Sequence, residues 1–82
     1  MVRVTLYTRV GCHLCDVAKE VLDAVREELP FDLDVTDIDT DPALIALYTT
    51  EVPVVLVGGR KAFKYRVDPG ALRDKLLRAE AP

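Results

Sequence analysis

The spacing of apolar residues changes its period within the first thirty residues of the chain. Residues 2–8 (VRVTLYT) alternate apolar and polar side chains, which predicts a β-strand. From His13 to Leu29 the apolar residues recur at steps of three and four, which predicts an amphipathic helix that Pro30 ends. The apolar positions are Val2, Val4 and Leu6 in the strand, and Leu14, Val17, Ala18, Val21, Leu22, Val25 and Leu29 in the helix.

Alternation returns after the helix, in the segment FDLDVTDID. Phe31, Leu33 and Val35 alternate with acidic residues there, which predicts a second strand. The phase of the alternation slips at Ile38, which indicates either a bulge or the end of the strand.

Two Asp-Pro pairs in the second half of the chain predict helix starts. In DPALIALY, Asp41 is the expected N-cap and Pro42 the first helical residue of a short helix. DPGALRDKLLRA repeats this start, and its inward positions are Leu72, Leu76 and Ala79. Between them, VPVVLV predicts a buried strand, and Gly58-Gly59 predicts a hairpin turn into a last strand, RKAFKYRV.

The predicted element order, βαβαββα, defines the fold class. The first βαβ unit implies two parallel strands joined by a right-handed crossover, and the late hairpin adds antiparallel pairing. We therefore expect a single α/β domain over residues 1–82, with a mixed four-stranded sheet and helices on both faces.

Composition and charge limit which partners and which cellular compartment we expect for the protein. Eleven basic and fourteen acidic residues give a net charge of −3, which argues against nucleic acid as the main partner. No apolar run approaches the roughly 20 residues that span a bilayer, and the alternating start is unlike the apolar core of a signal peptide. We expect a cytoplasmic protein without a membrane partner, and a cytoplasmic disulfide is more often transient and catalytic than structural.

Candidate chemistry is concentrated in the segment VGCHLCD. Cys12 lies where the first strand gives way to the first helix, and the positive end of a helix stabilises a thiolate and lowers the pKa of its thiol below about 8.5. Cys15 follows one helical turn later, within reach for a disulfide. Gly11 permits a tight turn before the nucleophile, and His13 could further stabilise the thiolate of Cys12.

A second candidate element is the segment EVPVV. Proline cannot donate a hydrogen bond to a sheet, so Pro53 at the start of a buried strand needs an explanation. One explanation is a cis Val52–Pro53 bond, which would direct the backbone of Val52 at a bound peptide or thiol. A proline on an edge strand is the alternative.

Together these segments resemble the thioredoxin superfamily, and more closely its small glutaredoxin-like members. LYTRVGCHLC resembles the glutaredoxin opening, with Arg9 at the basic position three residues before Cys12, and EVPVVLVGG resembles the family's Val-Pro strand and hairpin. The resemblance implies a thioredoxin-like fold and a thiol–disulfide oxidoreductase, with Cys12 as nucleophile, Cys15 as resolving thiol and Pro53 in cis. It also implies a disulfide-containing protein or a low-molecular-weight thiol as partner, and glutathione or another thiol as reductant.

The chain departs from the glutaredoxin pattern at three places. His13 and Leu14 stand where glutaredoxins commonly have Pro and Tyr, and Glu51 replaces the usual Thr before Val-Pro. YRVDPGA replaces the Gly-Gly-Asp turn that holds the glutathione carboxylate, and only Asp68 keeps the acidic cap. The closer resemblance is to a small bacterial glutaredoxin-like family with a DP helix and an EVPV strand.

Other interpretations of the cysteine pair remain open at this point. The two thiols could be buried core residues, or they could bind metal. Structural zinc needs four ligands, and the cysteines with His13 supply three at most. An iron–sulfur cluster shared by two chains would make the protein a carrier module. We expect a monomer with no metal and no tightly bound cofactor.

Structural or solvent-exposed positions, without a part in the chemistry, are expected for several other polar and aromatic residues. Arg9 could be a solvated loop charge instead of a ligand contact, and basic residues on the last strand are expected to protect a sheet edge. The aromatic residues are expected to pack in the core or at an edge, although one tyrosine could border the active-site groove. The basic residues are Arg60, Lys61, Lys64 and Arg66, and the aromatic residues are Tyr7, Tyr48, Phe63 and Tyr65.

Overall fold

The computed structural model describes residues 1–80, and in them the secondary structure follows the predicted order. The elements are β1 (Arg3–Thr8), α1 (His13–Glu28), β2 (Asp32–Asp37), α2 (Pro42–Tyr48), β3 (Val54–Val57), β4 (Arg60–Lys64) and α3 (Pro69–Glu80). Residues 81 and 82 of the predicted domain lie outside the described residues.

The four strands form one mixed sheet in the order β2-β1-β3-β4. The central strand β1 pairs in parallel with β2, to which α1 connects it, and antiparallel with β3. A tight hairpin joins β3 to β4, and both turn residues, Gly58 and Gly59, have positive φ, as its two-residue turn requires. The predicted mixed four-stranded sheet is confirmed.

The main core lies on one face of the sheet, beneath α1 and α3. Val4 and Leu6 of β1 are fully buried against apolar residues of both helices. On the opposite face, Tyr7 stacks on Tyr48 of α2, with 5.1 Å between the ring centroids. Helices therefore cover both faces, as predicted, and β1 is held between them with its carboxyl end leading directly to the cysteines.

The ends of β2 and β4 bear on two expectations from the sequence. β2 ends at Asp37, and residues 38–40 form a 3₁₀ turn in which the Asp37 carboxylate accepts the Asp39 N–H at 2.9 Å. The phase slip at Ile38 therefore marks the end of the strand. The expectation that the last strand continues to Val67 is wrong, because the backbone turns sharply at Tyr65 and β4 stops at Lys64.

Candidate active site

The loop after β1 places Cys12 at the start of α1. The chain turns at Gly11, which has a φ of 81°, a conformation that costs glycine little and other residues more. The Cys12 N–H donates to the Arg9 carbonyl at 3.3 Å and closes this turn. Cys12 itself is the N-cap residue of α1, with extended backbone dihedral angles.

The sulfur of Cys12 accepts a hydrogen bond from the first turn of the helix. The donor is the Cys15 N–H, at 3.2 Å from Sγ, and it is one of the N–H groups that a helix start leaves without an intrahelical partner. This bond and the positive end of the helix both favour negative charge on Sγ when the thiol is reduced. Cys12 therefore has the surroundings of an activated thiol.

The two cysteines differ in their access to solvent. Cys12 is half-buried, whereas Cys15, in the first turn of α1, is 2% exposed. The structure joins them in a disulfide, with 5.2 Å between the Cα atoms. This Cα distance lies within the usual range for disulfides, so the pair can bond where the helix places it. One accessible and one covered sulfur suit successive steps of thiol exchange.

The segment before β3 lies at the same end of the sheet as the cysteines. Val54 pairs with Tyr7 near the end of β1, and β3 runs antiparallel to β1, so Val52 and Pro53 extend toward the cysteine loop. The Val52–Pro53 peptide bond is cis, and Pro53 is buried. The Pro53 carbonyl accepts the Tyr65 N–H at 2.9 Å, which joins this segment to the residues after β4.

Tyr65 is held in a conformation that tyrosine rarely adopts. The Arg66 N–H donates to the Lys64 carbonyl at 2.8 Å and closes a three-residue γ-turn around Tyr65, whose φ is 67°. Such a conformation costs a residue with a Cβ atom about 1–3 kcal/mol. The Tyr65 side chain is 42% exposed and lines a groove beside the first turns of α1, in agreement with the alternative that one tyrosine borders the active-site groove.

A groove of about 480 Å³ lies beside the cysteine pair. His13, Leu14 and Val17 of α1 form one wall, and residues 65–67 form the other. We refer to it as the α1 groove. Sequence reasoning placed His13 near the site but assigned Arg66 to the protection of a sheet edge, because nothing in the local pattern showed that the chain returns to α1 after β4.

Arg9 forms an ion pair at the edge of the site. Its guanidinium contacts the Asp39 carboxylate through two nitrogens, with N···O distances of 2.9 Å and 3.3 Å. This two-point contact ties the cysteine loop to the 3₁₀ turn after β2. The structure thus pairs Arg9 with Asp39, and a contact of Arg9 with a ligand stays a prediction.

Glu51 is held by two lysines of β4. Its carboxylate accepts a hydrogen bond from Lys61, and Lys64 lies 3.8 Å away. The hydrogen bond from Lys61 and the charges of both lysines lower the pKa of Glu51 from its ordinary 4.5, although partial desolvation opposes them. Glu51 thereby ties the segment before Pro53 to the edge strand.

The ion pair of Glu51 predicts a pH-dependent contribution to stability. Because the pKa of Glu51 is lowered in the folded protein, its stabilisation should be fully present above about pH 4.5 and should disappear as the pH falls through the lowered value. The Glu51→Gln variant should therefore be less stable than the wild type at pH 7, and the difference should shrink toward pH 3. Urea unfolding across this range measures it. In a Lys61→Met background most of the pH-dependent difference should vanish, and an unchanged difference would contradict the assignment.

Two other kinds of feature are absent from the described part of the chain, a metal-binding cluster and a membrane-spanning helix. Within residues 1–80, no three His, Cys, Asp or Glu side chains are placed to hold a metal ion. None of the helices described there is long and apolar enough to cross a membrane.

Comparison with known sequences gives one family. Residues 3–77 match the family described as "Glutaredoxin-like domain (DUF836)". An uncharacterized protein of Mycobacterium tuberculosis is 35% identical to this chain over 82 residues, and the match covers 94% of this chain and 84% of the relative.

Comparison with solved structures confirms the predicted thioredoxin-like fold. The X-ray structure of a structural-genomics target protein from X. campestris is 39% identical, with a TM-score of 0.75, covering 96% of this chain and 99% of that one. A mutant thioredoxin from Halobacterium salinarum has a TM-score of 0.74 at 20% identity, covering 99% of this chain and 76% of its own. The thioredoxin likeness concerns the fold alone.

Proposed function

Because the chain belongs to the glutaredoxin-like (DUF836) family and has a thioredoxin-like fold, we propose that it is a thiol–disulfide oxidoreductase that works through Cys12 and Cys15. The observation that carries the proposal is the position of Cys12, which caps α1 with its sulfur while Cys15 lies covered one turn away. A purely structural pair would not need an accessible sulfur at the positive end of a helix.

The exchange proceeds in two steps. The thiolate of Cys12 attacks one sulfur of a substrate disulfide; the substrate S–S bond breaks, and the leaving thiolate takes up a proton. The protein and the other half of the substrate are then joined by a mixed disulfide. Cys15 loses its proton and attacks Sγ of Cys12, which releases the second substrate thiol and forms the Cys12–Cys15 disulfide. Two electrons pass from the protein dithiol to the substrate, so the protein ends oxidised.

A further thiol completes the cycle. Two molecules of a low-molecular-weight thiol, such as glutathione, reduce the Cys12–Cys15 disulfide and are themselves joined as a disulfide. We propose a disulfide-containing protein or a small disulfide as substrate, the cytoplasm as the place of action and the monomer as the active form. The net charge of −3 supports a partner other than nucleic acid.

The reduction potential of the cysteine pair tests this proposal. The purified protein is equilibrated in glutathione and dithiothreitol buffers, and its free thiols are counted after acid quenching and alkylation. We expect a two-electron transition between about −270 and −120 mV, the range of redox-active dithiols. The Cys15→Ser variant is the control, because it cannot form the internal disulfide.

Two results would count against a redox catalyst. A potential below about −300 mV is typical of a structural disulfide that the glutathione pool does not reduce. A pair that becomes available to oxidant only after a bound metal has been stripped would instead favour the alternative of a metal or iron–sulfur carrier.

A further inference from the structure

The positive φ at position 65 strains the backbone because the residue is tyrosine, and glycine at this position would avoid the strain. Glycine adopts a positive φ without strain, and nothing in the γ-turn itself needs a side chain. The ring is also 42% exposed, so the strain is not offset by burial in the core. The ring instead lines the α1 groove opposite Leu14 and Val17, which are themselves 38% and 42% exposed. Three exposed apolar side chains thus face one opening beside the cysteines.

The γ-turn also couples this ring to the redox site. The Tyr65 N–H donates to the Pro53 carbonyl at 2.9 Å, on the segment that extends toward the cysteine loop. A substrate chain that crosses the cysteines therefore meets a wall whose position is set by a backbone hydrogen bond and not by a mobile loop. Such fixed walls favour selection by side-chain shape.

The charges at the groove favour one kind of substrate. Arg66, which is positively charged, lines it, and none of the lining residues in the described part of the chain is a carboxylate. Within the described side chains, ion pairs engage Arg9, Lys61 and Lys64 but not Arg66. The groove thus presents the apolar side chains of Leu14 and Val17 and a cation without a carboxylate partner in the described part of the chain, in a protein whose net charge is negative.

From these observations we infer that the α1 groove selects disulfide-bearing peptides in which an apolar side chain and then a carboxylate follow the cysteine, with Tyr65 and Arg66 as specificity-determining residues. This inference rests on the proposed function, because it names the substrate class of the same site. Tyr65 contacts the apolar side chain together with Leu14 and Val17, and Arg66 pairs with the carboxylate.

Single-turnover reduction of peptide disulfides tests the inference. The wild-type protein is reduced, freed of reductant and mixed with peptides whose cysteine is joined by a disulfide to 2-mercaptoethanol. The peptides differ only in the two residues after the cysteine: leucine–aspartate, alanine–aspartate or leucine–asparagine. We expect the second-order rate constant to be about tenfold higher with leucine than with alanine. We expect it to be about threefold higher with aspartate than with asparagine, since an exposed ion pair is weak.

Variants assign each preference to one residue. Tyr65→Ala should remove the preference for leucine, and Tyr65→Phe should keep it. Arg66→Gln should remove the preference for aspartate and keep the preference for leucine. Arg60→Gln is the matched control, since Arg60 is an exposed cation of β4 at the hairpin end of the sheet, and its rate constants should equal those of the wild type. Each preference is a ratio of two rate constants measured with the same variant, so a merely structural defect would lower both rate constants and leave the ratio unchanged.

The outcomes separate the inference from the proposed function. If the wild type reduces bis(2-hydroxyethyl) disulfide and all three peptides at equal rates, the inference is overturned and the oxidoreductase proposal stands. If it reduces none of these compounds, the proposed function fails first. The preferences of the wild type and of Arg66→Gln decide the question even if Tyr65→Ala does not fold.

Discussion

Replacing Cys12 by serine should abolish disulfide reduction. The hydroxyl of serine is not ionised at neutral pH, and the remaining thiol, Cys15, is 2% exposed. No accessible sulfur would then lie at the start of α1. We expect the rate of reduction of a small disulfide to fall at least about a thousandfold, as is usual when a catalytic nucleophile is lost. The rate of thiol release after mixing with excess substrate disulfide measures the loss.

The matched variant, Cys15→Ser, should fail at a different step. Its Cys12 thiolate can still attack, but no second thiol remains to release the substrate. We expect one equivalent of stable mixed disulfide per protein, visible as the corresponding increase in mass. If Cys12→Ser trapped the adduct and Cys15→Ser did not, the roles of nucleophile and resolving thiol would be reversed.

The second large effect is expected in the core. Leu22 lies in the middle of α1, is fully buried, and packs in the cluster between that helix, the sheet and α3. Truncation to alanine removes its transfer free energy and leaves a cavity, so we expect Leu22→Ala to lose about 2–5 kcal/mol of unfolding free energy. An 82-residue domain has only about 4–12 kcal/mol in total, at roughly 0.05–0.15 kcal/mol per residue. Urea unfolding followed by circular dichroism measures the difference.

Leu47 provides the control for the same substitution. It also lies in a helix, α2, but is 60% exposed. Leu47→Ala should change the unfolding free energy by no more than about 0.5 kcal/mol. Equal losses at Leu22 and Leu47 would mean that the core does not lie where the structure places it.

The sequence predicted the fold well where one physical signal dominated. The periods of two and three-to-four residues located β1 and α1, because burial on one side of each element imposes them. The Asp-Pro pair before α2 located its start, and the Asp41 carboxylate indeed accepts the Ala43 N–H at 2.9 Å. The end of β4 was missed because a positive φ at a tyrosine has no local signature: the turn is held by the distant Pro53 carbonyl.

The candidate site was predictable in its cysteines but not in its walls. Cys12 and Cys15 lie within four residues of chain directly after a strand, so the sequence alone identified them as the candidate reactive pair. The partner of Arg9, by contrast, is Asp39, thirty residues away, and Tyr65 faces α1 only because the sheet returns the chain to it. Contacts of this kind depend on tertiary packing, which no pattern of neighbouring residues encodes.

The hydrogen bond from the Cys15 N–H to the Cys12 sulfur affects the reduction potential of the cysteine pair. An unfolded chain has no helix start, so the thiolate gains this stabilisation only in the folded, reduced protein. Folding and reduction form a thermodynamic cycle. The free energy by which the thiolate stabilises the folded, reduced protein therefore also favours reduction of the disulfide in the folded protein. Each 1.4 kcal/mol gained in this way raises the potential of the two-electron couple by about 30 mV. The strength of one helix cap thus helps to set the direction in which this protein exchanges electrons with its partners.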